Sequence, residues 1–219
     1  GNTPIAGVST GTNNAFPELR EPTITGIAVG LAVTGQVPNG QGFSFNKRLE
    51  VKVNEKREIA LVDVAVVAER FIGARAIWKT ENFRNLFVNF GLPDGIGMSS
   101  IVGLLAPLDR ETPEGRHIRL VPAENARSHL LAPIAPGLIE NVSIDCVETM
   151  QPDEVYLPSV SAGSFALDGE RELTFCETDD VSIRLQTDAF RTINVSYCMA
   201  YAAKHGLLTR ESDPALAKL

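Results

Sequence analysis

A series of short strand-like segments between Arg48 and Gln186 constrains the fold of this chain more than any other feature. Leu49, Val51 and Val53 alternate with polar residues, which is the period-two pattern of a strand with one exposed face. Pro, Gly, Asn and Asp separate the later segments at short intervals, which is typical of a sandwich or a folded-over sheet. The predicted strands are 49–53, 59–67, 87–90, 117–121, 129–134, 142–147, 165–167, 171–175, 181–186 and 193–197.

Two of these segments carry further signals. The run from Ile59 to Val67 is almost entirely apolar, so we predict one central strand that forms a hairpin with strand 49–53. Its one acid, Asp63, is either buried with a partner or placed on the less buried face of the strand, because an unpaired buried carboxylate is costly. Asp168-Gly169 predicts a type I′ hairpin turn, since both central residues of that turn need a positive φ.

Helical signals are few and lie mainly near the two ends. We predict a helix over 22–33, with proline in its first turn. A second helix is predicted from about Met199 to His205, closed by Gly206, and a short one over 82–86. The fold class is therefore α+β, mainly β: the remnant of an N-terminal α/β domain followed by an antiparallel β-sandwich. The predicted domains are 1–45 (α/β), 46–195 (β-sandwich) and 196–219 (helix and tail).

The start of the chain has a strand–loop–helix pattern. The apolar run Ile5 to Val8 predicts a buried strand, and a polar loop from Ser9 leads to a helix start at Asn14. Backbone N–H groups at a helix N-terminus suit an anion such as a phosphate. An ordinary turn with good capping residues explains the same pattern.

A second glycine-rich loop, between Gly91 and Leu104, carries two hydroxyls, Ser99 and Ser100. If the loop binds no ligand, this stretch predicts a turn followed by a glycine-bearing strand.

Charge and composition exclude several classes of function. The net charge of −7 argues against nucleic acid or an anionic membrane as the main partner. Apolar residues at 44% and charged residues at 21% are typical of a globular protein, and no apolar run reaches membrane-spanning length. No secretory leader is recognisable.

The cysteines and histidines carry no site signature. An odd, sparse set of cysteines without a Cys-x-x-Cys pattern predicts reduced thiols in the cytoplasm. The histidines have no metal-ligand spacing, and without a Gly-x-Ser-x-Gly elbow a Ser/His/Asp hydrolase is not supported. These residues are Cys146, Cys176, Cys198, His117, His129 and His205.

Four stretches resemble, in order, motifs of the NAD kinase and diacylglycerol kinase superfamily. The stretch 11–16 (Gly-Thr-Asn-Asn-Ala-Phe) looks like the loop that lipid kinases carry after their phosphate motif. The stretch 97–101 is similar to the Gly-Ser-Thr-Ala-Tyr loop that contacts NAD. The stretch 132–138 is similar to Pro-Ile-Cys-Pro-His-Ser-Leu, and 165–170 looks like the Asp-Gly-Glu turn. The closest subgroup is the ATP–NAD kinase-like proteins that include acetoin-catabolism protein X.

This resemblance implies an α/β half and a β-sandwich half with a nucleotide in the cleft between them. The first loop would hold phosphate or ribose, and Asp63 would accept from an adenine amine or a ribose hydroxyl. The second loop would contact the rest of the ligand, which Asp168 would orient unless it only forms a hairpin turn. ATP or NAD(H) would be the ligand, with Mg²⁺ in the full-length protein. The implied binding residues are Thr10, Gly11, Thr12, Asn13, Asn14, Asp63, Gly97, Ser99, Ser100 and Asp168.

Three departures from the family pattern limit the expected chemistry. The Gly-Gly-Asp-Gly-Thr motif is absent, and the first three residues, Gly-Asn-Thr, contain no acid. Phosphoryl transfer would therefore lack its central carboxylate, and we predict no catalytic residue. The Asn-Glu pair that reads adenine falls on Val62-Asp63, and the lipid kinase Gly-Asn-Asp falls on 13–15. Either the chain is a C-terminal fragment, which its abrupt start favours, or the kinase chemistry has been lost.

Two hypotheses follow. In the first, the chain is a nucleotide-binding, kinase-like protein. In the second, it is a non-catalytic β-sandwich module for binding or assembly, linked to acetoin catabolism, in which the glycine loops are only turns. Because apolar β faces often associate, we also expect a homo-oligomer.

Overall fold

The computed structural model describes residues 3–8, 21–38, 40–68 and 82–209. The chain divides into two compact units, Asn46–Ala189 and Gly1–Phe45 with Phe190–Leu219. The helices are α1 (Pro22–Val33), α2 (Ser99–Leu105) and α3 (Val195–Lys204). The strands are β1 (Phe43–Val53), β2 (Lys56–Ala60), β3 (Asp63–Val67), β4 (Phe83–Val88), β5 (Gly115–Leu120), β6 (Ser128–Ala135), β7 (Leu138–Met150), β8 (Gly163–Leu167), β9 (Arg171–Phe175) and β10 (Val181–Ile193). None of the helices in these ranges is long and apolar enough to cross a bilayer.

The strands form two sheets. Among the described strands, seven form the larger sheet, in the order β6-β7-β5-β4-β3-β8-β9, and three form the smaller, in the order β10-β1-β2. All neighbours in the larger sheet run antiparallel. This arrangement confirms the α+β, mainly β fold class.

The larger sheet buries both of its faces in the region of β3. One face packs on the smaller sheet, where Val51 of β1 and Val64 of β3 share an apolar core with Phe165 of β8. The opposite face packs on α2 through Ile101 and Val102. A strand that is covered on both sides can be apolar at every position, which explains why all five residues of β3 are buried.

The predicted single strand 59–67 is wrong. The chain leaves β2 after Ala60, bends at Leu61 and Val62, and enters β3 at Asp63, so the run supplies one strand to each sheet. The run is apolar on both sides of the bend because Ala60 of β2 and Val64 and Val66 of β3 all lie in the core between the sheets. A continuous apolar run does not reveal such a bend, because the two residues that form it, Leu61 and Val62, are themselves apolar.

The predicted helix over 82–86 is also wrong, because β4 begins at Phe83. Leu86 and Phe87 lie in the cores on opposite faces of the sheet. A central strand of this kind shows no alternation, and its periodicity cannot be told from that of a short buried helix.

The glycine-bearing strand predicted after the second glycine loop is instead the helix α2. A Cβ atom at Gly103 would lie 2.1 Å from the carbonyl oxygen of Leu92, and one at Gly91 would lie 2.5 Å from that of Ser99. These glycines therefore allow α2 to pack directly on the backbone of the loop that precedes it.

In the second unit, α1 is confirmed over its predicted range, and the side chain of Glu21 caps it by accepting from the backbone N–H of Thr23 at 2.8 Å. Residues of α1 and α3 share one apolar core. Helix α3 starts earlier than predicted, because Asn194 caps it by accepting from the N–H of Tyr197 at 3.0 Å. The strand predicted over 193–197 is therefore wrong beyond Ile193, the last residue of β10. Gly206, with φ +64, follows the helix as predicted.

The buried strand predicted over 5–8 is wrong. Ile5 forms an isolated bridge with Thr192, and 54% of its surface is exposed. The helix start predicted at Asn14 lies outside the described residues.

Candidate functional site

The bend between β2 and β3 is held by a carboxylate that lies more than one hundred residues further along the chain. The side chain of Asp168 accepts hydrogen bonds from the backbone N–H groups of Leu61 at 2.9 and 3.0 Å, Val62 at 2.8 Å and Asp63 at 3.3 Å. Asp168 has φ +53 and Gly169 has φ +70, which confirms the predicted hairpin turn. The turn thus has a second role, because the hydrogen bonds that Asp168 accepts fix the backbone at the start of β3.

Two further side chains complete the frame of the bend. Arg171 donates to Asp168 Oδ2 at 3.3 Å and to the carbonyl oxygen of Ile59 at 2.6 Å. Asn89 donates through Nδ2 to the carbonyl of Leu61 at 2.8 Å and through its backbone N–H to the carbonyl of Val62 at 2.8 Å. Asn89 Oδ1 is buried and has no hydrogen-bond partner among the described residues. The N–H and C=O groups of the bend are therefore fixed from both sides.

Asp63 is buried at the start of β3, with 8% of its surface exposed. Burial, followed by the negative charge of Asp168, raises the pKa of Asp63 from its ordinary value of 3.8 to about 7. A hydrogen bond from the backbone N–H of Ser99 acts in the opposite direction. Both the acid and the carboxylate form of Asp63 are therefore populated near neutral pH.

The second glycine loop reaches this site through Ser99. Gly97, with φ +94, donates its N–H to the carbonyl of Pro133 at 3.0 Å. Ser100 is buried, and its hydroxyl donates to the same carbonyl at 3.4 Å. Ser99 is half-buried and begins α2. The loop is thus attached to β6 by Gly97 and Ser100, while Ser99 faces the site with its N–H group.

The structure therefore brings together three predicted site residues from distant segments: Asp63, Ser99 and Asp168. Gly97 and Ser100 lie in the same loop as Ser99 and support its position. The remaining predicted residues lie outside the described ranges, and their role stays a prediction; they are Thr10, Gly11, Thr12, Asn13 and Asn14.

The site combines two carboxyl groups, those of Asp63 and Asp168, with one backbone N–H donor, that of Ser99. As an acid, Asp63 can donate a hydrogen bond, and as a carboxylate it can accept one. Asp168 already accepts three backbone N–H groups and one guanidinium, so Asp63 is the carboxyl with capacity to spare. A buried acid with a pKa near neutrality and a defined charged neighbour is a common property of functional sites.

Sequence reasoning missed Lys47, which is 4% exposed on β1. Its ammonium donates to the backbone carbonyls of Asp109 at 3.1 Å and Glu114 at 2.7 Å, and burial lowers its pKa to about 8. It also missed a hydrogen-bonded chain through His117, described below. Nothing in the local sequence marks either residue, because their partners lie more than twenty residues away. Within the described part of the chain, no group of three or more His, Cys, Asp or Glu side chains is placed to hold a metal ion.

The fold and site together define an antiparallel β-sandwich protein. Its buried carboxyl group lies at the point where the chain passes from one sheet to the other. A family model for the acetoin catabolism protein X C-terminal domain matches residues 47–188, which is nearly the whole of the first compact unit. The chain belongs to this family.

A curated relative, acetoin catabolism protein X of Cupriavidus necator, is 44% identical to the chain over 220 residues. The match covers 98% of this chain and 61% of that protein. The chain thus spans about three fifths of the length of this relative.

Proposed function

We propose that this chain is a nucleotide-binding module of a kinase-like protein that acts in acetoin catabolism. The observation that carries the proposal is the convergence of Ser99 and Asp168 on the buried carboxyl group of Asp63. The similarity of three sequence stretches to NAD kinase motifs supports a nucleotide as the ligand. The name of the relative, acetoin catabolism protein X, supports the metabolic setting. The assignment of residues 1–45 to a nucleotide-binding α/β domain remains part of this proposal.

The residues at the site fit the neutral, donor-rich part of a nucleotide. Asp63 and Asp168 place negative charge there, which disfavours a phosphate. An adenine amine or a ribose hydroxyl can instead donate to Asp63, and the acid form of Asp63 can donate to a ring nitrogen. We therefore assign the base or ribose of ATP or NAD(H) to this site. We assign the phosphates to the polar loop of residues 9–14.

We propose binding without phosphoryl transfer for these 219 residues. A kinase of this type needs a carboxylate that positions and activates the acceptor or its metal, and no Gly-Gly-Asp-Gly-Thr occurs in the chain. Any kinase activity of the complete gene product, with Mg²⁺ as metal, would depend on such a carboxylate. We also propose a cytoplasmic location, since the three cysteines are all unpaired.

A nucleotide that occupies this site should raise the melting temperature of the protein. Ligand at about 100 times its Kd stabilises the folded state by ~2.7 kcal/mol. For a chain of this size that corresponds to a shift of roughly 5–10 °C. The measurement is a thermal-shift series of the complete gene product and the 219-residue chain with ATP, ADP, NAD and NADH up to millimolar concentration.

The control for this series is Asp63→Asn, which keeps the shape of the side chain and loses its charge and its acid proton. The variant should lose most of the nucleotide-dependent shift while remaining folded. No shift for the complete gene product with any of the four nucleotides would contradict nucleotide binding.

A second candidate function, a module for assembly, is favoured by one surface. Leu131 of β6 and Ile139 of β7 expose 68% and 67% of their surface. The register pairs Leu131 with Asn141 and Pro133 with Ile139, so both apolar side chains lie diagonally on the same face. We propose that two copies of the chain associate through this face.

Substituting Leu131 by aspartate should dissociate such an oligomer, because a charge would be buried in an apolar contact. The measurement is molar mass by light scattering during gel filtration, at about 100 µM, where a contact with micromolar Kd is saturated. Leu157→Asp is the matched control, since Leu157 is also exposed (63%) but lies in another segment. A monomeric parent chain, or an equal loss in both variants, would contradict assembly through this face.

A further inference from the structure

A chain of hydrogen bonds crosses three strands of the larger sheet and ends on the β7–β8 connection (residues 151–162). Ser159 donates its backbone N–H and its hydroxyl to Asn85 Oδ1, at 2.8 and 2.7 Å. Asn85 Nδ2 lies 2.9 Å from His117 Nε2. His117 Nδ1 lies 3.2 Å from a carboxylate oxygen of Glu148. Asn85 and His117 are buried in β4 and β5, whereas Glu148 is exposed at the surface of β7.

The donors and acceptors of this chain define the protonation state of His117. Asn85 Oδ1 accepts twice from Ser159, so the amide nitrogen of Asn85 must face His117. An amide nitrogen only donates, so His117 Nε2 accepts and its proton sits on Nδ1, which donates to Glu148. The ring also stacks on Phe87 with a centroid distance of 4.4 Å. The arrangement therefore requires a neutral imidazole.

The β7–β8 connection is attached at two places. Its first half is paired with β10, since Tyr156 exchanges two backbone hydrogen bonds of 2.9 Å with Ile183. Beyond Tyr156, the two hydrogen bonds from Ser159 to Asn85 join the connection to β4. Ser159 itself is exposed, whereas its neighbour Val160 is half-buried and packs against the core between the sheets. Release of the Ser159 contact alone therefore leaves that core closed.

We propose that Ser159, Asn85, His117 and Glu148 form a proton-sensitive latch: a proton taken from solvent by His117 Nε2 releases Ser159 from Asn85 of β4. With a proton on Nε2, two donors face each other across the 2.9 Å contact. The Asn85 carboxamide can relieve this only by turning its oxygen toward His117. Its nitrogen then faces the N–H of Ser159, which loses its acceptor.

The groups around His117 determine the direction of this effect. Burial is the largest influence and lowers the pKa of His117, while its hydrogen bond to Glu148 and the charge of Glu148 oppose the shift and Arg119 adds to it. From β4 the ring contacts the uncharged side chains of Asn85 and Phe87. The other titratable groups nearby are Cys146, a thiol 3.8 Å from Glu148, and Tyr156, whose hydroxyl donates to Glu154 at 2.6 Å.

The sign follows from the two states of the latch. In the closed state the pKa of His117 is below its ordinary value of 6.5. In the released state the Asn85 oxygen faces His117 and accepts from Nε2–H, which favours the charged ring and raises this pKa toward the ordinary value. Protons therefore bind the released state more strongly. As pH falls below about 6.5, the ratio of released to closed latch should rise up to about tenfold per pH unit until the lowered pKa is reached.

Amide hydrogen exchange, followed by NMR between pH 5 and 8 on the 219-residue chain, tests the latch. The protection factor of the Ser159 amide, corrected for the intrinsic exchange rate, should fall up to about tenfold per pH unit below 6.5. The amides of Val66 and Phe165 in the core should keep their protection. A pH-independent Ser159 amide, or a parallel loss of protection in the core, would overturn the proposal.

Two variants separate the latch from a general effect of acid. His117→Gln offers Asn85 an acceptor that does not titrate, so the pH dependence at Ser159 should vanish. Asn85→Asp offers a carboxylate that accepts from both Ser159 and a protonated His117, so protection at pH 5 should equal or exceed that at pH 8. If either folded variant kept the pH dependence of the parent, His117 would not be the sensor.

Discussion

Above pH 7, the Asp63→Asn variant is expected to be more stable than the parent chain by about 2–4 kcal/mol. Asp63 is buried, and its pKa is raised from 3.8 to about 7 by burial and by the charge of Asp168. The folded state therefore binds this proton more tightly than the unfolded state, and it loses stability as pH rises from about 4 to 7. An amide at this position can still accept from the N–H of Ser99 and never has to ionise.

Urea unfolding at pH 5 and pH 8 measures this effect. The parent should lose stability between the two values, and Asp63→Asn should lose much less. Asp94→Asn is the control, because Asp94 is exposed and its substitution should leave the pH profile of the parent unchanged. Identical profiles for the parent and Asp63→Asn would show that the burial of this charge does not cost stability. A gain in stability combined with a loss of ligand binding is the expected behaviour of a residue kept for function.

The Asp168→Ala variant is expected to unfold about 3 kcal/mol more easily than the parent. The substitution removes the acceptor of three backbone N–H groups at the bend between β2 and β3. It also removes the partner of Arg171 and places alanine at φ +53, where a Cβ atom is strained. Urea denaturation at pH 7 measures the loss.

Asp168→Asn is the more conservative companion of this variant. Asparagine tolerates a positive φ and keeps one acceptor oxygen, so its cost should be roughly half that of alanine. It should also lower the pKa of Asp63, because the neighbouring negative charge is gone. Glu170→Ala, at an exposed position of the same turn, should be neutral. An Asp168→Ala variant as stable as the Glu170→Ala control would refute the role given to this carboxylate.

Features set by local sequence were predictable. The alternation in β1, the turn at Asp168-Gly169 and the helix α1 depend on residues within a few positions of each other, and each is present. The ladder of strands from β5 to β10 was also recognisable, since turn residues separate the apolar segments.

Features that depend on distant partners were not predictable. The run 59–67 bends because Asp168, more than one hundred residues away, accepts its N–H groups. The second glycine loop continues as the helix α2 because Gly103 fits against Leu92, a contact that no pattern reveals. The site shows the same limit. Asp63 was conspicuous as an acid in an apolar run, but its neighbours could be named only through a resemblance.

Hydrogen exchange with mass spectrometric detection tests the central claim, nucleotide binding at the Asp63 site, most directly. The complete gene product and the 219-residue chain would be compared with and without saturating ATP or NAD, in the parent and in Asp63→Asn. We predict slower exchange in peptides that cover 60–65 and 97–102, and the loss of this protection in Asp63→Asn. Unchanged exchange in both peptides in the presence of either nucleotide, or protection confined to other parts of the chain, would contradict the claim.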